Sequence, residues 1–159
     1  MRTKFTLVTL VLLLAASFNG FAQVKAEIVK TINQLLVKAI GGTDITLHNG
    51  QETEFKIIAN SFSIDEEMNF GVFTIGKNFA SSDHAKEEST TKSQIQHWKG
   101  FNISPEQTST TIKSIYPVIE KREGEPDNDK NGIKYYCLVG DEDKLITALT
   151  QLQGLYQRK

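Results

Sequence analysis

The sequence predicts an α+β domain in which two amphipathic helices bracket an antiparallel sheet. Three observations predict it. Apolar residues recur at helical spacing before residue 41 and again after Asp141, whereas between them the period falls to two in short runs. Tight turns separate those runs, and parallel pairing would need long crossovers instead. A single cysteine, Cys137, excludes an internal disulfide, so the core has to come from apolar packing alone.

The first element is a helix over Val24–Ile40. Ile28, Ile32, Leu35, Leu36, Ala39 and Ile40 share one face, opposite Lys25, Glu27, Lys30 and Gln34. Gly41-Gly42 follows, the residue type best able to take the left-handed conformation that closes a helix. Thr43–His48 and Glu52–Ala59 then read as two strands joined by Asn49-Gly50, the strongest short hairpin signal. Further alternating runs at Ser61–Asp65 and Met68–Ile75 flank a turn at Glu66-Glu67, with Met68, Phe70 and Val72 assigned to one face. Ser81–Gln94 is almost wholly polar, has no periodic apolar face and reads as a surface loop.

Ile95–Ile103 carries the sole tryptophan, Trp98, beside Phe101 and reads as a return to the sheet. Ser104-Pro105-Glu106-Gln107 has the form of a capped helix start, one turn long because the Thr-rich stretch after it disfavours helix. Strands are expected at Thr111–Tyr116, at Val118–Arg122 beyond Pro117, and at Ile133–Val139, the last two joined by the polar loop Glu123–Gly132. A meander or partial barrel of about six or seven strands is expected in all. Asp141-Glu142-Asp143 opens the closing helix with negative charge at the positive end of its dipole. Leu145, Ile146, Ala148, Leu149, Leu152, Leu155 and Tyr156 form its apolar face.

Residues 1–22 read as an export signal. Arg2 and Lys4 precede an apolar run from Phe5 to Phe18, and Gly20 and Ala22 are the small residues before a cut ahead of Gln23. The run is too short for a comfortable membrane span. Residues 23–159 then make one domain, periplasmic or secreted, and Gln23 offers no thiol for a lipid anchor. Arg2 and Lys4 account for two of the 18 basic residues, leaving 16 against 19 acidic ones. That mildly acidic balance, with no Lys/Arg cluster, excludes nucleic acid and anionic lipid as main partners.

The candidate chemistry is sparse. Asp127-x-Asp129-x-Asn131-Gly132 resembles the opening of an EF-hand calcium loop, but Leu138 stands where the twelfth-position glutamate belongs. An Asn-Gly hairpin turn explains the same residues, with calcium the alternative. His48, His84 and His97 form no metal-type pair and fall in three separate settings. Asp83-His84 lies in the polar loop, without the rigid support a catalytic pair needs. Glu66-Glu67 and Glu87-Glu88 read as solvated charge, and Asn102-Ile103-Ser104 as a formal glycosylation site. Cys137 reads as a small buried hydrophobe. Trp98, Phe101, Tyr135 and Tyr136 line either the core or a ligand pocket. No catalytic, cofactor-binding or metal-binding residue is assigned, and no cofactor is expected.

The order of export signal, helix Val24–Ile40, meander, tryptophan-bearing strand and Asp-Glu-Asp-led helix resembles small secreted bacterial proteins with a pleckstrin-homology-like sheet. A glutamine after the cut is similar to exported proteins of Bacteroidetes, which implies a periplasm. The resemblance implies a partial barrel closed by the last helix. It does not extend to phosphoinositide binding, because the first hairpin, Leu47–Glu52, contains no Lys or Arg. The expected function is a non-enzymatic exported binding module for a protein, peptide or small ligand. The alternatives are a small hydrolase that gathers His84 or His97 with carboxylates, and an envelope structural or assembly component.

Overall fold

The computed structural model describes residues 20, 22–48, 51–80, 86–104, 109–119 and 133–157. Helix α1 covers residues 22–38. Seven strands follow: β1 (Thr43–His48), β2 (Gln51–Asp65), β3 (Phe70–Phe79), β4 (Glu87–Gln94), β5 (Trp98–Ile103), β6 (Ile112–Ile119) and β7 (Tyr135–Leu138). Helix α2 (Glu142–Tyr156) ends the fold. The α+β order predicted above stands. The strands form two antiparallel sheets, β1-β2-β3-β4 and β5-β6-β7, and do not close into a barrel. A 3-10 turn at Ile95–His97 makes the corner between them. The turn is anchored by buried Ile95, whose N–H donates to the Asn69 carbonyl at 3.2 Å.

Several elements differ from the sequence reading, each for a physical reason. Glu52–Ala59 and Ser61–Asp65 are one strand, β2, with a bulge. Ile57 opposes Lys77 and Ala59 opposes Gly76, so Ile58 has no cross-strand partner. The extra residue shifts the side-chain phase by one. Phe55 and Ile57 point inward before it, Asn60 and Phe62 after it, and Ile58 is exposed. Between Met68 and Ile75 the buried residues are Gly71, Phe73 and Ile75, not Met68, Phe70 and Val72, and further along β3 Gly76 and Phe79 are buried too. Asn69, at φ 55°, makes the turn and leaves Met68 in solvent.

Ser81–Gln94 is no loop beyond residue 86. Glu87–Gln94 is an edge strand on β3, and its polarity follows from having little to bury. Ile112–Tyr116 and Val118 and Ile119 belong to one strand that runs through Pro117, and residues 120–122 lie outside those described. Pro117 is tolerated because β7 pairs only with Ile112–Ile115, so only Phe101 of β5 lies opposite Pro117. The last strand is shorter than Ile133–Val139, and Val139 is exposed. The helix start at Ser104–Gln107 and the loop Glu123–Gly132 fall on residues outside those described, Ser104 excepted.

Two amides fasten α1 to the sheets. Gly41, at φ 95°, closes the helix, and Gly41 and Gly42 exchange backbone hydrogen bonds with Ile57 at 2.8 and 2.9 Å. Past that point β2 has lost β1 as a neighbour. Asn33 takes its place: its side-chain amide donates to the Phe62 carbonyl at 2.8 Å, and its oxygen accepts from the Phe62 N–H at 2.8 Å. Asn60, buried, donates to the carbonyls of Leu36 at 2.8 Å and Tyr136 at 2.9 Å.

The core lies between the sheets and under both helices. Tyr135 packs against Phe62 and Phe73 of the first sheet and Trp98 and Phe101 of the second, with ring centroids 4.8–6.4 Å apart. Gly71 lets Trp98 in: a Cβ there would stand 2.8 Å from the indole Cζ2. The helices run antiparallel, with Lys38 of α1 on Asp141 at 3.0 Å and Lys25 over the Tyr156 ring at 6.0 Å.

Candidate binding groove between the terminal helices

The apolar stripes of both helices extend past the sheets they cover. On α1, Ile32, Leu35, Leu36 and Ala39 are buried, Ile28 is partly buried, and Val24 is half exposed. On α2, Leu145, Ala148, Leu149 and Leu152 are buried, whereas Leu155 is only partly so. Because the helices are antiparallel, the two overrunning ends meet. They enclose an open groove of about 880 Å³.

Val24, Ile28 and Leu155 give the groove its apolar surface, and Gln23, Thr31 and Gln151 supply polar side chains at its rim. Glu27 is the ionisable group among its lining residues. Gly154 lies in the wall, and a Cβ built there meets nothing within 4 Å. The missing side chain is therefore space that belongs to the groove. Beside the groove, Lys25 binds Glu66 at 2.6 Å. Burial alone would lower the Lys25 pKa. The Glu66 hydrogen bond and the Tyr156 ring outweigh it and hold the ammonium above its ordinary range.

A second unusual setting surrounds Lys77 on β3. Its ammonium sits 4.4 Å from the Phe55 ring centroid and 5.7 Å from that of Tyr136. Burial, followed by the neighbouring Lys134, lowers its pKa. The two rings compensate the desolvated charge through cation–π attraction. This lysine fills its own aromatic box, so the arrangement tethers β3 to β2 and β7 and leaves no room for a ligand.

The residues singled out in the sequence do not gather at either place. His97 is half-buried on the 3-10 turn, 3.4 Å from the Gln96 amide nitrogen. The His48 side chain, Asp83-His84 and Asp127–Gly132 lie outside the described residues. Among those described, no three His, Cys, Asp or Glu side chains stand close enough to hold a metal. Glu66 is engaged by Lys25, and Glu87 and Glu88 lie exposed on β4. Asn102 is exposed on β5.

The aromatic residues are core. Trp98 is buried and donates its indole N–H to Ser93 Oγ at 2.7 Å, and the Gln153 amide donates to the Trp98 carbonyl. Tyr135 and Tyr136 are likewise buried. Cys137 is fully buried, and burial, with Glu142 and Asp141 nearby, pushes its thiol up to about 12. Both structural readings from the sequence hold there.

Of the groove residues, the sequence assigns Ile28 and Leu155 to the apolar helix stripes and Glu27 to the opposite face, and it does not mark a groove. The available signal was an apolar residue, Val24, one turn before the first stripe begins at Ile28. Comparison with protein-family models, with curated proteins and with solved structures gives no match.

Proposed function

We propose that the chain is an exported, non-catalytic binding module, and that the groove between α1 and α2 takes a small amphiphile with an apolar chain. One observation carries the reading: two apolar helix ends meet over open space, with Gly154 widening it where any other residue would narrow it. The volume falls in the range of small-molecule sites, roughly 300–1,000 Å³. Polar groups at the rim suit a head group at the water boundary. Glu27 favours a neutral or cationic head and disfavours a carboxylate. Removal of residues 1–22 would take Gly20 from the rim and leave Gln23 as the first residue beside it.

The test is calorimetric titration with dodecylammonium, dodecanol and dodecanoate below their micellar concentrations. Binding should be strongest for the ammonium or the alcohol and weakest for the carboxylate. Gly154→Phe should abolish binding. Its side chain projects into open space, and replacing a glycine in the last turn of α2 costs the helix nothing, since glycine is among the poorest helix formers. Failure of all three compounds to bind, or unchanged binding by Gly154→Phe, would overturn the reading.

A further inference from the structure

The free edge of β4 has a symmetry of its own. Among the described residues, β4 ends the strand order of its sheet and pairs with β3 alone. That pairing runs from Phe70↔Gln94 to Lys77↔Glu87 without a register shift. Edge strands are usually blunted by proline, by a bulge, by brevity or by charged side chains, lysine above all, and of these β4 carries only the charges Glu87, Glu88 and Lys92. Glu87–Gln94 contains no proline and no bulge, and is eight residues long.

The two charges of its outer face, Glu88 and Lys92, sit evenly about one residue. Thr91 is half-buried and Ser93 buried, so the odd positions face the core. Glu88, Thr90 and Lys92 are exposed and share the outer face. Thr90 Oγ1 lies 3.0 Å from Thr74 Oγ1 across the strand pair. Glu88 has no ion-pair partner among the described residues. Lys92 has only a long contact to Asp65 at 3.5 Å, with its side chain 56% exposed.

We propose that β4 pairs antiparallel with β4 of a second copy, about a two-fold axis at Thr90, joining the two four-stranded sheets into one. This register sets Thr90 against the second copy's Thr90. It sets Glu88 against the second copy's Lys92, and Lys92 against the second copy's Glu88. Directly opposed residues bring their Cβ atoms about 4.5–5.5 Å apart, close enough for both ion pairs. On the core-facing side Glu87 meets Ser93 and Ser89 meets Thr91, so no like charges oppose each other. A two-fold axis that keeps the outer faces together permits only steps of two. One neighbouring register opposes Lys86 to Lys92. The other sets Glu88 against Gln94 and makes neither ion pair. The surface selects one register and one partner, itself. A single added strand pair is a small interface, so the dimer is reversible.

This proposal rests on the β4 edge and is independent of the groove. Sedimentation velocity over a wide range of concentration tests it, with circular dichroism confirming that each variant folds. The wild-type dimer should grow with protein concentration and weaken with added salt. Glu88→Lys and Lys92→Glu should each weaken association roughly two- to thirtyfold, since each disrupts both symmetric pairs. The double exchange Glu88→Lys/Lys92→Glu should restore it. A wild-type protein that stays monomeric at millimolar concentration would overturn the proposal. So would a dimer indifferent to both single reversals, or a double exchange that fails to rescue.

Discussion

Asn60 joins three elements with one amide. Both of its N–H bonds are spent, on the last turn of α1 through the Leu36 carbonyl and on β7 through the Tyr136 carbonyl. Replacement by leucine, close to it in size, removes both bonds. The Leu36 carbonyl keeps the Ala39 N–H at 3.0 Å, and the buried Asn60 Oδ1, which has no hydrogen-bond partner among the described residues, goes with the amide. Asn60→Leu is therefore expected to lower stability by about 1–3 kcal/mol, mostly through the Tyr136 carbonyl. Urea unfolding checks this through a lower midpoint at an unchanged slope. Nothing in the sequence marks Asn60 for that place. Strict alternation from Phe55 puts Ala59 inward, and the bulge that turns Asn60 inward instead has no sequence signature of its own. Cys137 was legible because it follows Ile133 and Tyr135 at alternate positions and all three are buried, although Tyr136 between them is buried as well.

At the scale of elements, the helices were the legible part and the edge strand was not. A helix that buries one stripe leaves its period in the sequence, as Ile32, Leu35, Leu36 and Ala39 do. β4 buries only Ser93, so no period survives and Glu87–Gln94 looks like a loop. The pairing of the two helices carries a pH dependence. Hydrogen bonds from Lys144 first and Lys38 second hold the Asp141 carboxyl below its ordinary range. A carboxylate with a lowered folded pKa contributes stability above its unfolded value, about 3.9, and loses it as pH falls through the folded value. Asp141→Asn should therefore be less stable than wild type at pH 6. The difference should hold down to about pH 5 and shrink below about pH 4. Urea midpoints measured in parallel across that range would show it, and an unvarying difference would assign the effect to something other than this carboxylate.

For the whole molecule, the order helix, antiparallel strands, helix was readable, but the division into sheets of four and three strands was not. The corner at Ile95–His97 carries one buried isoleucine and reads as the beginning of the next strand. Tyr135 touches aromatic rings of both sheets, and Asn60 binds a helix and a strand of each side to one point. Neither sheet has a core without the other, so unfolding should be a single transition. Trp98 fluorescence, which reports the second sheet and its contact with Gly71, should follow the same urea curve as far-ultraviolet circular dichroism. Two separated curves would mean that the sheets come apart independently.

The unpaired residue at position 58 makes β2 tolerant of one kind of change and intolerant of another. An isoleucine in solvent can be exchanged for many side chains at little cost. Deleting it would straighten the ladder and still leave Ile57, Asn60 and Phe62 at alternate positions, all turned inward. Deleting exposed Ser61 instead would set Phe62 beside Asn60 and turn the ring to water. Which residue goes missing decides the outcome, not how many.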